Sequence, residues 1–85
     1  MINKIFLSSD HGGFELKEKV KVFLKDNSFE YEDLGCSSLE AVDYPDFAKI
    51  LSKKIKNKNN SKGILFCGTG IGISMAANRF PHIRA

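Results

Sequence analysis

The chain has 85 residues, of which 42% are hydrophobic and 27% are charged, and its net charge is +3 at pH 7. This apolar content is too high for a disordered chain, and the length leaves room for one small domain. No run of about 18 apolar residues is present to cross a bilayer, and the apolar stretch near the N-terminus is too short for a signal-peptide core. We therefore expect a cytoplasmic domain without a membrane partner.

The basic residues and the cysteines exclude two further kinds of site. Residues 53–62 form the densest basic segment, yet they include no aromatic residue for base stacking and no arginine for base reading. We interpret them as a solvated helix end and loop, and we expect no nucleic-acid partner. Cys36 and Cys67 lie in neither Cys-x-x-Cys nor zinc-ligand spacing, which predicts two reduced thiols. No functional role is predicted for Cys36, Met75 or His82.

The first half of the chain predicts a strand, a helix and a second strand. Residues 4–8 are a short apolar run that ends in a glycine-rich segment, as a buried strand does where it opens into a loop. Residues 29–34 alternate between apolar and polar, which is typical of an exposed or edge strand. An amphipathic helix from residue 14 to about residue 25 is predicted from apolar residues with helical spacing, at Leu16, Val20, Phe23 and Leu24.

The second half repeats this alternation. A helix over residues 44–55 is predicted from apolar residues at helical spacing, with Asp43 as N-cap and Pro45 in the first turn. Residues 63–67 are continuously apolar, as in a strand covered on both faces. Residues 82–85 are predicted to begin a fourth strand. A third helix before them is predicted from one apolar face, formed by Ile73, Ala76, Ala77 and Phe80.

Alternating strands and helices indicate right-handed crossovers and a parallel sheet with helices on both faces. The predicted fold is α/β, a Rossmann-like three-layer sandwich with a parallel sheet, here of about three βα units plus the start of a fourth strand. Sites in such sheets lie beyond the carboxyl ends of the strands. This rule selects residues 9–13, after the first strand, and residues 67–72, after the third.

Residues 68–72, Gly-Thr-Gly-Ile-Gly, open a helix directly after a buried strand. Their bare backbone N–H groups and the helix dipole would face one small concavity, which suits an anion. The segment is not a dinucleotide fingerprint, because Ile73 stands where that motif needs glycine, and it is not a P-loop. A tight strand-to-helix turn without a ligand stays open as the alternative.

Cys67 stands at the end of the predicted third strand, immediately before this segment. The positive potential of a helix N-terminus favours a thiolate, which can act as a nucleophile or a general base. The alternative is a thiol that packs as a small apolar group. Thr69 offers a hydroxyl two residues further on, or serves as a turn residue.

Asp10 and His11 occupy the corresponding position after the first strand. A carboxylate and an imidazole can hydrogen-bond sugar hydroxyls, bind phosphate or move protons. An aspartate before two glycines is also a common turn or cap residue, and a lone histidine is often structural. Because both loops lie at the same end of the predicted sheet, the functional interpretation is favoured.

Four motifs together resemble the ribose-5-phosphate isomerase type B family along the whole chain. They are Ser-Asp-His-Gly-Gly-Phe at residues 9–14, Asp-Tyr-Pro-Asp at 43–46, Cys-Gly-Thr-Gly-Ile-Gly at 67–72, and Ala-Ala-Asn-Arg through Ile-Arg-Ala at 76–85. The resemblance implies aldose–ketose isomerisation of ribose 5-phosphate and ribulose 5-phosphate through an enediolate. It places this reaction in the pentose phosphate pathway, without a metal or a cofactor.

The resemblance also implies roles for individual residues. Cys67 would be the base that moves a proton between C1 and C2, and Thr69 would assist ring opening. Asp10 and His11 would bind the open sugar phosphate, and Tyr44 would line the pocket. The developing oxyanion would be held by backbone N–H groups of Gly68, Thr69, Gly70, Ile71 and Gly72. Another branch of the family lacks this cysteine and has glutamate where this chain has Ile73, so the chain resembles the branch with a cysteine base.

Members of that family are longer than this chain. Residues 1–85 are therefore expected to be the N-terminal part of a single sugar-phosphate isomerase domain, which forms a homodimer or homotetramer in full-length form. The proton donor and the phosphate-binding residues are expected beyond Ala85. The chain by itself is expected to be inactive and to need a partner for stability. Two alternatives stay open, a galactose-6-phosphate isomerase subunit and a non-catalytic anion-binding fragment.

Overall fold

A computed structural model describes residues 4–56, 58 and 60–85. Residues 1–3, from the short apolar N-terminal stretch, and Asn57 and Asn59, from the predicted basic loop, lie outside the described residues. None of the helices in the described part is long and apolar enough to span a membrane. The elements in chain order are strand β1 (Lys4–Ser9), a 3₁₀ turn (His11–Gly13), helix α1 (Phe14–Asp26), strand β2 (Tyr31–Asp33), helix α2 (Tyr44–Ile55), strand β3 (Ser61–Phe66) and helix α3 (Ile71–Ala77).

The three strands form one parallel sheet in the order β2-β1-β3. The central strand β1 pairs with β2 through Ile5 to Leu7 and with β3 along its whole length. Parallel neighbours need a crossover connection, and α1 and α2 supply the two crossovers. The predicted edge strand is confirmed as β2, although it has only three residues. The predicted α/β fold with a parallel sheet is confirmed.

Two separate apolar cores cover the two faces of the sheet, because alternate strand residues point to opposite faces. On one face, α1 packs over a cluster formed by Ile5, Leu7, Leu24 and Phe66. On the other face, α2 and α3 bury Ala48, Ile73 and Ala77, against which Leu65 and Cys67 pack. The chain is therefore a three-layer sandwich, and Cys67 lies on the face that α2 and α3 cover.

The start of α2 agrees with its sequence signals. Asp43 is the N-cap residue with an extended backbone, and Pro45 lies in the first turn. The Asp43 side chain makes no capping hydrogen bond. The backbone carbonyl of Asp43 accepts a hydrogen bond from the Asp46 N–H (3.2 Å) instead. The carbonyl of Phe47 accepts a hydrogen bond from Ser8 Oγ of β1 (3.0 Å), which ties this end of the helix to the central strand.

The buried face of α1 differs from the apolar face that its sequence predicts. Leu16 and Phe23 are 57% and 59% exposed, although Leu24 is buried. Lys17, which the amphipathic pattern leaves among the solvent-facing residues, is fully buried with its Nζ 2.7 Å from Asp33 Oδ2. A buried ammonium needs a counter-charge. The helix therefore turns its Lys17 side towards β2 and leaves Leu16 and Phe23 in solvent.

The end of the described chain also differs from its prediction. β3 is an edge strand of the described sheet, and its residues from Gly63 to Leu65 are exposed or half-buried rather than covered. Residues 82–85 form no fourth strand. The side-chain amide of Asn78 instead forms hydrogen bonds with the backbone N–H and carbonyl of Ala85, the groups that a neighbouring strand would bind. The Ala85 N–H donates to Asn78 Oδ1 (2.8 Å), and the Ala85 carbonyl accepts from Asn78 Nδ2 (3.2 Å).

Candidate active site

The Asp10 carboxylate caps the turn that follows β1. Its Oδ1 accepts a hydrogen bond from the Gly13 N–H (3.0 Å), and the Asp10 N–H donates to the Phe66 carbonyl at the end of β3 (3.2 Å). Asp10 is 8% exposed. The capping role weighed from the sequence is therefore present, and it occupies only one of the two carboxylate oxygens.

The segment after β3 folds back on itself around the Cys67 sulfur. Cys67 Sγ accepts a hydrogen bond from the Gly70 N–H (3.0 Å), and Thr69 Oγ1 accepts one from the Ile71 N–H (3.2 Å). Gly70 has a φ of +80°, a left-handed conformation that favours glycine. Two of the N–H groups predicted to hold an oxyanion are thus engaged inside the loop. The N–H groups of Gly68, Thr69 and Gly72 have no partner among the described residues.

The two predicted loops meet at the carboxyl end of the sheet. A Cβ built on Gly12 would lie 3.2 Å from the Gly68 backbone nitrogen and 3.4 Å from Asp10 Oδ1. The Asp10 turn and the Cys67 loop therefore approach each other so closely that a side chain on Gly12 would contact the Gly68 backbone. This is the arrangement expected where neighbouring parallel strands end at the same edge.

Tyr44 lies on the α3 side of this loop. Its ring packs against Gly72, where a Cβ would lie 2.8 Å from Tyr44 Cζ. Tyr44 is 40% exposed and lines a groove of about 340 Å³ together with Met75 and Arg79. That groove includes Gly72 but neither Cys67 nor Asp10, so Tyr44 borders the loop without sharing a described cavity with them.

His11 makes its contact with the connection before α2 rather than with the Cys67 loop. The ring is exposed, and its Nδ1 accepts a hydrogen bond from the Val42 N–H at 3.1 Å. Val42 is a site neighbour that sequence reasoning missed. No side-chain signal marks it, because only its backbone takes part.

Four charged side chains of α1 and β2 form a cluster of ion pairs. The Asp33 carboxylate receives the ammonium groups of Lys17 (2.7 Å) and Lys21 (2.8 Å), and both lysines also reach Glu18. Burial by itself raises the pKa of Asp33, but the hydrogen bonds from Lys17 and Lys21 outweigh it, so this pKa lies below its ordinary value. The hydrogen bond from Lys21 likewise lowers the pKa of Glu18.

Asp33 connects this cluster to the site through backbone hydrogen bonds. Its Oδ1 accepts from the Gly35 N–H (2.9 Å), and the Gly35 carbonyl accepts from the Ser9 N–H (2.7 Å). Ser9 is the last residue of β1 and precedes Asp10. The ion pairs of α1 therefore fix the end of the strand from which the site turn begins.

The fold and the site define a class of protein. It is a parallel α/β domain in which a loop with a thiol and several glycines lies next to a turn that carries a carboxylate and an imidazole. The sequence profile of the family described as Ribose/Galactose Isomerase matches residues 5–85. The chain therefore belongs to this family of sugar-phosphate isomerases.

Relatives of known structure agree with this membership. The ribose 5-phosphate isomerase of Thermotoga maritima has a TM-score of 0.91 at 53% identity, over 95% of this chain and 56% of that one. Ribose-5-phosphate isomerase B of Clostridium thermocellum has a TM-score of 0.91 at 47% identity, over 95% of this chain and 55% of that one. Among curated sequences, ribose-5-P isomerase B of Listeria innocua is 40% identical over 82 residues, 96% of this chain and 55% of that protein. The chain thus spans about half the length of the relatives it matches.

Proposed function

We propose that this chain supplies part of the active site of an isomerase that interconverts ribose 5-phosphate and ribulose 5-phosphate. Membership of the family supports an isomerase, and the names of the similar proteins support this substrate. The observation that carries the proposal is the Cys67 sulfur at the end of β3, hydrogen-bonded by the Gly70 N–H and next to the Asp10 turn.

In the proposed reaction, the Cys67 thiolate removes the proton from C2 of the open-chain aldose and returns it to C1. The Gly70 N–H stabilises negative charge on the sulfur before the first transfer and after the second, when the proton is on the sugar. The enediolate oxygen is held by the N–H groups that the loop leaves unengaged, those of Gly68, Thr69 and Gly72. The N–H groups of Gly70 and Ile71 instead form hydrogen bonds within the loop. The proposed oxyanion site therefore has fewer N–H donors than the sequence predicted.

The remaining proposed roles belong to side chains around this loop. Thr69 assists ring opening, although its hydroxyl oxygen also accepts the Ile71 N–H. Asp10 offers its uncapped carboxylate oxygen to a sugar hydroxyl, and His11 offers its free Nε2. Tyr44 lines the edge of the site where its ring packs on Gly72.

The test uses a chimera in which this chain replaces the matching part of the Thermotoga maritima isomerase. The chain is 53% identical to that enzyme over 95% of its length with a TM-score of 0.91, so the two backbones match closely. We expect the chimera to turn over ribose 5-phosphate and Cys67→Ala to lower kcat/KM by about 100- to 10,000-fold, as loss of a general base does. Cys36→Ala, which changes the other free cysteine, should keep most of the activity. Full activity of the Cys67→Ala chimera would show that the base is another group.

A second substrate is a candidate because the family description names galactose beside ribose. In this alternative the chain belongs to a galactose-6-phosphate isomerase. Turnover of both sugar phosphates by the same chimera separates the two, and we expect ribose 5-phosphate to be preferred. The 85-residue chain alone is expected to show no measurable turnover, since the relatives named as isomerases are nearly twice as long.

A further inference from the structure

His11 is bonded to the backbone of a residue far along the chain. Its Nδ1 accepts the hydrogen bond from the Val42 N–H at 3.1 Å, across 31 positions of sequence. The ring is exposed, and its Nε2 has no hydrogen-bond partner among the described residues. One ring nitrogen is therefore tied to the protein and the other is free for a ligand.

This contact fixes where the ring carries its proton. A backbone N–H can donate only to a ring nitrogen with a free lone pair, so Nδ1 of His11 is unprotonated. The single proton of the neutral ring then lies on Nε2. The other tautomer and the imidazolium both carry a proton on Nδ1. This proton would point at the Val42 N–H, so neither form can accept the hydrogen bond.

The segment that contains Val42 is held at both ends by the protein. After it, Asp43 leads directly into α2, which the Ser8–Phe47 hydrogen bond ties to β1. Before it, the Cys36 N–H donates to the Ser9 carbonyl (3.0 Å). Both anchors lie at the end of β1 from which the His11 turn starts, so they hold the segment with Val42 near the His11 ring.

His82 provides a comparison within the same chain. Its Nε2 lies 2.6 Å from the Ser52 carbonyl oxygen, which can only accept a hydrogen bond. This contact requires a proton on Nε2 but is compatible with both the neutral ring and the imidazolium. When neutral, both rings are therefore expected to carry the proton on Nε2, and His82 does so without any contact to Val42, so it serves as an internal control.

We propose that Val42 is a positioning residue whose backbone N–H holds His11 as a neutral Nε2–H donor for one oxygen of a bound sugar phosphate. The tautomer follows from the hydrogen-bond geometry, whereas the identity of the ligand rests on the function proposed above. A neutral donor recognises a hydroxyl, carbonyl or phosphoryl oxygen by a directed hydrogen bond and adds no net charge to the site.

The tautomer is tested on the 85-residue chain by long-range ¹H–¹⁵N NMR correlation of its two imidazole rings in mildly alkaline buffer. We expect the His11 pattern to be that of the Nε2–H form alone. Scalar coupling across the hydrogen bond should join the Val42 amide nitrogen to His11 Nδ1. A mixture of tautomers at His11, or the Nδ1–H pattern, overturns the proposal.

Two substitutions at one position separate the backbone N–H from the side chain. Val42→Pro lacks the N–H and should turn the His11 pattern into a tautomer mixture while that of His82 stays unchanged. Val42→Ala keeps the N–H and should leave both patterns as they are. A folded Val42→Pro chain with an unchanged His11 pattern overturns the proposal. If the proline variant does not fold, the coupling in the unsubstituted chain decides, because its presence supports the bond and its absence refutes it.

The role toward the ligand is tested in the chimera described above. Val42→Pro should raise KM for ribose 5-phosphate about tenfold over Val42→Ala, the effect of one lost hydrogen bond, with kcat much less affected. An unchanged KM overturns the assignment of His11 as a ligand donor. An inactive unsubstituted chimera contradicts the proposed isomerase instead, and the NMR measurement then still tests the tautomer.

Discussion

Gly13 closes the turn that carries Asp10 and His11, and Phe66 leaves no room for a side chain at this position. A Cβ on Gly13 would overlap the backbone and Cβ of Phe66. Gly68 in the neighbouring loop faces open space, with no atom near the place of a Cβ. Gly13 is therefore required for close packing of the two strand ends, whereas a side chain at Gly68 would extend into open space.

Gly13→Ala should lower the free energy of unfolding by about 3 kcal/mol, the upper range for overpacking, because the obstructing atoms include backbone. Gly68→Ala is the matched control and should change it by less than about 0.5 kcal/mol, as exposed substitutions do. Urea unfolding followed by circular dichroism measures both. Equal stabilities of the two variants would contradict the close approach of Gly13 to Phe66.

At the scale of elements, the contact between α1 and β2 includes a buried ion pair beside the apolar cluster. Lys17 is fully buried, and its ammonium contacts Asp33 and Glu18, while its Nζ lies 5.2 Å from the centre of the Phe14 ring. Lys21 binds the same two carboxylates from a more exposed position. Removing one partner of a buried ion pair costs more than the pair contributes, because the remaining charge stays buried.

Asp33→Asn should therefore lower the free energy of unfolding by about 3 kcal/mol, since it leaves the buried Lys17 with Glu18 alone. Lys21→Met removes the more exposed partner of Asp33 and should cost about 1 kcal/mol or less. Urea unfolding near neutral pH measures both variants. If Lys21→Met were the more damaging substitution, the buried Lys17–Asp33 pair would not be the main link between α1 and β2.

The same cluster predicts a pH dependence with a definite sign. The pKa of Asp33 is lowered in the folded chain, so its contribution to stability is fully present above its unfolded pKa of about 4 and is lost as the pH falls through the folded value. The stability difference between the unsubstituted chain and Asp33→Asn should shrink below about pH 4. Unfolding curves across this range measure it, and a difference that grows towards low pH would contradict the ion pair.

At the scale of the whole molecule, the chain exposes more surface than its mass requires. Its accessible area is 5662 Å², compared with about 5000 Å² for a folded monomer of 9.5 kDa. The excess accompanies the exposed side chains of Leu16 and Phe23 on α1 and the free edge of β3. A cavity of about 380 Å³ follows that edge and includes Ser52, whose buried hydroxyl has no hydrogen-bond partner in the described part of the chain.

We expect the 85-residue chain to be only marginally stable, with a free energy of unfolding of about 4 kcal/mol or less, the low end for its length. The chimera with the second half of the Thermotoga maritima isomerase should unfold at higher urea concentration, because added chain can cover the edge of β3. Parallel urea titrations compare the two. Equal midpoints would mean that the free edge and the exposed apolar side chains do not limit stability.

Several features of the site were predictable because their signals are local. The apolar run before residues 9–13 and the glycines after Cys67 predict strand ends, and a parallel sheet brings such ends to one edge. The close approach of Gly12 to Gly68 follows from that topology. The loop's own hydrogen bonds were not predictable, because Gly70 donates to Cys67 only in the left-handed conformation that the folded loop adopts.

The sequence by itself determined the order of strands and helices, the parallel sheet and the family, since periodicity, glycine positions and motif spacing are properties of neighbouring residues. Only the tertiary structure decided which side of α1 is buried, because the rotation of a helix depends on partners such as Asp33 on another element. It also decided the Val42 contact of His11 and the capture of Ala85 by Asn78. Each of these is a polar contact with a backbone or charge distant in sequence, and the residue types involved do not specify it.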